Sequence, residues 1–187
     1  MIKDPVFKKS INYIQYKIKD ILDQVSEKDI KKVKELFLKC NRIFVYGAGR
    51  SGLVSKAFAI RLVHLGFQTF VIGETITAPV QKGDLVVIIS GSGETIPAVM
   101  TAEIADNLKA SVISVTGKKN SDIAKFADIT LLISANCKDI EREKYAPLGT
   151  LFEASVWVLL DGLIADLLES KNETEKDMRS RHATLEQ

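Results

Sequence analysis

The stretch that most restricts the fold of this chain is Leu85-Val86-Val87-Ile88-Ile89-Ser90-Gly91-Ser92-Gly93-Glu94-Thr95. Five consecutive apolar residues pass directly into serine and glycine, and Ile96, Val99, Met100 and Ile104 then recur at helical spacing. An apolar run without alternation marks a strand buried on both faces, so the pattern predicts buried strand, tight loop and helix. Such a loop is an anion cradle. Gly91 and Gly93 let the backbone turn sharply and come close to a ligand, while the N–H groups and positive dipole end of a helix beginning near Glu94 face it. Ser90, Ser92 and Thr95 add hydroxyl donors, and Pro97 in the first helical turn sacrifices little. Taken alone, a serine-glycine loop describes a capped polar turn equally well.

The rest of the chain repeats the unit. Strands are predicted at 42–46, 68–72, 85–89, 111–115 and 129–133, and helices at 51–65, 94–109, 121–126 and 151–169. Apolar strands alternating with helices imply a parallel sheet covered on both faces, with ligands bound beyond the carboxyl ends of the strands where strand order reverses. The expected fold is therefore α/β: a three-layer α/β/α sandwich with a five-stranded parallel sheet, flavodoxin-like or Rossmann-like. Two helices precede it. Val6, Ile11, Ile14, Ile18, Ile21, Leu22 and Val25 mark the apolar face of the first. Ser26 with Asp29 caps the second, which buries Ile30, Val33, Leu36 and Phe37. These helices either pack on the sheet or, for the first, reach a partner subunit, the reading we favour. A chain of 187 residues, 46% hydrophobic, fits one domain. Its expected parts are N-terminal helices at 1–40, an α/β core at 41–170 and a tail at 171–187. Residues 138–144 read as a solvated charged loop, and Trp157, among Val156, Val158, Leu159 and Leu160, as core.

Charge excludes several functions. The 26 basic and 24 acidic residues are interspersed and leave a net charge of +2, which is no nucleic-acid footprint. No apolar run nears the ~20 residues of a membrane span, and the N-terminus lacks a signal peptide's apolar core, so a cytoplasmic protein is expected. Cys40, Cys137, His64 and His182 share no metal-ligand spacing; no metal is expected, and both thiols should be unpaired.

A second glycine loop, Gly47-Ala48-Gly49-Arg50-Ser51-Gly52, follows the first strand and fits G-x-G-x-x-G, with Glu74 where a ribose-binding acid would fall. A dinucleotide site is disfavoured, because no second domain remains for a redox substrate and the 90–95 loop would be superfluous. Instead Gly47 and Gly49 open the turn, and Arg50 and Ser51 point at phosphate or sugar. Glu74 and Thr75 either bind sugar hydroxyls or form a polar loop. Glu153, in the first turn of an apolar helix, is either a base or a helix-stabilising acid. His64, near a helix end, reads more readily as a satisfied core or helix-end residue than as a catalyst.

The two loops together resemble the sugar isomerase (SIS) domain. RLVHLGF at 61–67, VIGETITAP at 71–79, APLGTLFE at 146–153 and RHATLE at 181–186 narrow the resemblance to the 6-phospho-3-hexuloisomerase family, from about Arg42 to the C-terminus. That resemblance implies interconversion of arabino-3-hexulose 6-phosphate and fructose 6-phosphate through an enediol, in the ribulose monophosphate pathway of formaldehyde fixation. It implies no metal or organic cofactor, a homodimer or homotetramer, and functional coupling to 3-hexulose-6-phosphate synthase. It makes Glu153 the base, brings His182 and His64 forward as catalytic candidates, and assigns Gly49, Arg50, Ser51, Ser90, Ser92, Gly93, Thr95, Glu74 and Thr75 to the sugar phosphate. His182 would move a proton in ring opening or at the O2 and O3 oxygens, and we expect it in a neighbour's pocket. The alternatives are an aldose-ketose isomerase such as arabinose 5-phosphate isomerase, or a non-catalytic phosphosugar sensor.

Overall fold

Side chains alternate faces along a strand, and in this chain both sets are apolar. Ile43, Val45, Leu85, Val87, Ile89, Ile113 and Val115 enter one core; Phe44, Val86, Ile88 and Val112 enter the other. A computed structural model describes residues 5–135 and 140–184. Cys137, Lys138 and the end of the RHATLE segment, Leu185 and Glu186, lie outside the described residues.

The chain runs α1 (Val6–Leu22), α2 (Glu27–Lys39), β1 (Ile43–Gly47), α3 (Gly49–His64), β2 (Thr69–Val71), β3 (Leu85–Ser90), α4 (Ile96–Asn107) and β4 (Ser111–Thr116). A 3₁₀ turn (Ile123–Phe126), β5 (Ile129–Leu132), α5 (Ile140–Tyr145), α6 (Thr150–Ser170) and α7 (Glu175–Ser180) complete it. The five strands form one parallel sheet in the order β2-β1-β3-β4-β5. Order reverses between β1 and β3, so the chain leaves these neighbours toward opposite faces and opens a crevice at their carboxyl ends. Helices α2, α3 and α6 cover one face; α4 and the 3₁₀ turn cover the other. This is the expected three-layer sandwich.

Three local expectations change. The first helix, read as packing on the sheet or reaching a partner subunit, packs within its own chain on α5 and α6, because α6 presents an outward apolar side that the sheet cannot reach. Residues 140–144 of the supposed charged loop are helical, within α5, with acids in the first turn and bases in the last, as the helix dipole favours. Trp157 is 47% exposed and not core; it sits on the outer side of α6 with Val158. The Ser26 cap is formed as expected, its hydroxyl accepting from the Asp29 N–H at 3.2 Å.

At the amino ends of the strands, Asp84 is buried and accepts from Arg42 at 3.0 and 2.6 Å and from the Gln81 N–H at 2.7 Å. A buried carboxylate satisfied by a guanidinium fork fixes β1 against β3, at the end away from the glycine loops. No helix among the described residues is long and apolar enough to cross a membrane.

Candidate active site

The loop after β3 is closed by its own hydroxyls. The Gly93 N–H donates to Ser90 Oγ at 3.1 Å and the Glu94 N–H to Ser92 Oγ at 3.2 Å; both oxygens lie near Thr95 Oγ1, at 3.2 and 3.4 Å. Gly93 has φ +65°, and a Cβ there would lie 2.3 Å from the Ser121 Cβ, so conformation and space both demand glycine. Thr95 is the N-cap residue of α4, but its hydroxyl serves Ser90 and Ser92 and caps nothing. The first turn is thus left for an anion to face, with Pro97 within it. Lys118, beyond β4, pairs with Glu94 at 2.7 Å across the loop. Sequence reading missed this cation; its signal was the Gly117-Lys118 turn at a third strand end.

The loop after β1 begins beside it, since Gly47 pairs with Ile89 in the parallel register. A Cβ on Gly47 would meet the Ser51 carbonyl oxygen at 2.6 Å, and one on Gly52 the Gly47 oxygen at 2.6 Å. These glycines of the G-x-G-x-x-G pattern therefore permit close strand-to-helix approach. Gly49 takes φ +57° with open space beside it, and Arg50 follows in the first turn of α3.

Both loops meet the start of α6. Gly91 lies against the Phe152 ring, which a Cβ would approach to 3.2 Å, and Arg50 Nε donates to Glu153 Oε2 at 2.5 Å. A Cβ on Gly149 would come within 3.0 Å of Glu153 Oε1, so the glycine preceding the helix leaves room for the carboxylate. The Glu153 side chain is 12% exposed and that of Arg50 69%: a shielded carboxylate held by a solvent-facing cation. Beside the pair opens a cavity of about 480 Å³ lined by Ile18, Leu53, Trp157 and Val158 among others. Trp157 therefore walls the space next to Glu153.

The remaining candidates do not touch the Arg50–Glu153 pair: Glu74 and Thr75 follow the carboxyl end of β2, beside β1, and the histidines sit at the far end of α3. Glu74 pairs with Lys56 at 2.5 Å, and Thr75 is exposed in the same turn. His64 is the last residue of α3 and is buried. Its ring stacks on His182 at 5.0 Å between centroids and 28° between planes. Burial lowers its pKa from 6.5, aided by His182 and then Arg61. From Arg50 to His64 the helix rises about 21 Å, so within one chain the histidine pair and Glu153 do not share a pocket. The pair instead lines a separate cavity of about 430 Å³ with Arg61, Glu175, Met178 and Arg179.

The model of the SIS domain matches residues 36–151. The chain is 38% identical to 3-hexulose-6-phosphate isomerase of Bacillus subtilis, covering 87% of this chain and 89% of the relative. It is 36% identical to 3-hexulose-6-phosphate isomerase of Methanocaldococcus jannaschii, covering 79% of each. The crystal structure of a hypothetical protein from Methanococcus jannaschii, reported to infer a molecular function of 3-hexulose-6-phosphate isomerase, superposes with a TM-score of 0.84. That structure is 30% identical and covers 95% of this chain and 99% of its own.

Proposed function

The chain belongs to the SIS-domain family and, within it, to the 3-hexulose-6-phosphate isomerases, and on that premise we propose that Glu153 is the base that moves the substrate's proton. The enzyme interconverts arabino-3-hexulose 6-phosphate and fructose 6-phosphate. Moving the carbonyl from C3 to C2 means removing the C2 proton, forming an enediol across C2 and C3, and returning a proton to C3. The O2 hydroxyl meanwhile loses its proton and O3 gains one. A single carboxylate beside both carbons can serve both carbon steps.

The observation that carries this reading is the Arg50–Glu153 pair at the junction of the two glycine loops. Arg50 fixes the orientation of the carboxylate, and its exposed guanidinium is available to phosphate or to the enediolate oxygens. The substrate phosphate is assigned to Ser90, Ser92, Gly93 and Thr95, with Gly49 and Ser51 on the facing loop. Glu74 and Thr75 are assigned to the sugar hydroxyls, where Lys56 holds Glu74 ready.

His64 and His182 then act from a neighbouring subunit, since their own Glu153 is out of reach. Support for assembly comes from the surface. Ile96, Met100, Ile104 and Leu108 form an exposed stripe at spacing four along α4, whose opposite face buries Ala98, Ala102 and Ala105. A helix apolar on both sides belongs inside an assembly, so we assign a homo-oligomer. We also assign supply of the substrate to 3-hexulose-6-phosphate synthase. We assign the enzyme to the cytoplasm together with that synthase, because a charged sugar phosphate stays on the side of the membrane where it is made.

The decisive test is a coupled assay for fructose 6-phosphate from enzymatically made 3-hexulose 6-phosphate, run in deuterated water. Wild type should turn over and exchange solvent deuterium into the substrate. Glu153→Gln, isosteric and uncharged, should fold normally and lose activity by about 10²–10⁴-fold. Deuterium exchange at the wild-type rate in Glu153→Gln would show another group to be the base.

A further inference from the structure

Helix α3 ends on Gly66 in the left-handed region, at φ +78°. The Leu65 N–H donates to Arg61 O at 3.0 Å, Gly66 to Val63 O at 2.9 Å and Phe67 to Leu62 O at 3.0 Å. This closure uses the carbonyls up to residue 63 and leaves that of His64 at the negative end of the helix with no donor from the closure. Arg181 supplies one. Its Nη1 donates to His64 O at 3.0 Å, while Nη1 and Nη2 grip Glu173 at 2.8 and 2.9 Å. The guanidinium lies over Gly66, where a Cβ would come within 3.3 Å of Arg181 Cζ. Glycine is thus needed twice at this position, for the turn and for the cation above it.

We propose that Arg181 is a positioning residue, which clamps the tail onto the end of α3 and so sets the adjacent His182 ring against His64. The inference rests on the reading that His182 serves catalysis, and adds the device that holds it. Helix α7 has six residues, too few to persist without anchorage. Its capping box, Thr174 with Asp177, fixes its start, and Met178 packs against the core. Neither reaches the last residue of the turn. Arg181 does, and it is bonded to the backbone of the very residue whose ring His182 stacks on. Two imidazoles 5.0 Å apart repel once both are protonated, so the stacking needs a tether that does not depend on the rings themselves.

The test combines spectroscopy with a mutant cycle. In Arg181→Gln the ring signals of His182 should move from ring-current-shifted to free-imidazole positions, and kcat should fall about 10- to 100-fold at unchanged KM, the scale of a misplaced group. Arg181→Lys should restore only part, because an ammonium cannot fork between Glu173 and the carbonyl. The double variant Arg181→Gln/His182→Ala should be no slower than His182→Ala alone. If Arg181→Gln fails to fold, Glu173→Gln, which loosens the same guanidinium, should displace the His182 signals in the same direction. Unmoved His182 signals, or substitutions whose effects multiply in full, overturn the clamp. Should His182→Ala turn over like wild type, the catalytic reading of His182 falls instead, and the ring signals alone decide the clamp.

Discussion

Ser92 and Thr95 show how much one residue can tell. Both hydroxyls converge at the mouth of the 90–95 loop, 3.4 Å apart, and a phosphate is the same group before and during proton transfer. Contacts equal in ground and transition states lower KM without raising kcat. Ser92→Ala/Thr95→Ala should therefore raise KM strongly, with kcat nearly kept, in steady-state kinetics; an unchanged KM would remove the phosphate from this loop. The strand, loop and helix around these residues were legible from an apolar run passing into glycines and then into helical spacing, whereas the loop alone describes a capped polar turn equally well and its assignment to phosphate comes from the family resemblance. Trp157 was misread for the opposite reason. Helix α6 is apolar nearly all round, so periodicity could not say which side faces the sheet, and Trp157 took the side beside Glu153. Lys118 and Arg181 act through the tertiary neighbours Glu94, Glu173 and the His64 carbonyl, which no local spacing encodes.

At the scale of elements, the strands and their order of alternation with helices were readable, since β3 is buried at every position and its neighbours nearly so. The short pieces were not. Helix α5 was hidden in a charged run, and α7, within the stretch read as a tail, is held by the end of α3. That junction has a titration of its own. His64 in the folded chain has its pKa lowered by burial, by His182 and by Arg61, with Arg179 and Glu175 lining the same cavity. The unfolded chain, with histidine near 6.5, binds the proton more readily. Below that value unfolding takes up protons, so stability is intact above about pH 6.5 and falls as pH drops toward the folded-state value. The thermal midpoint should decline between pH 7 and pH 5, and His64→Gln should flatten that decline. An equal slope in the variant would assign the loss to other groups.

For the whole molecule, distance within the chain is the governing fact. Glu153 sits at the head of α3 through Arg50, and the stacked histidines sit at its tail, about 21 Å along the axis. A reaction that uses both must draw them from different copies, and the exposed apolar stripes on α4 and at the start of α1 supply surfaces on which copies can meet. The sequence hinted at assembly through the amphipathic first helix, yet the separation of the candidates appears only once α3 is built. Mixing Glu153→Gln subunits with His182→Gln subunits tests it, after each alone is shown to be nearly inactive and exchange is demonstrated by mass-tagged chains. In a random equal mixture each pocket draws its glutamate and its histidine independently, so about a quarter of pockets carry both wild-type residues. Activity should rise toward that fraction of wild type as exchange proceeds, and at the same rate. If chains exchange and no activity returns, the two residues do not meet across a subunit boundary, and His182 acts within its own chain or not at all.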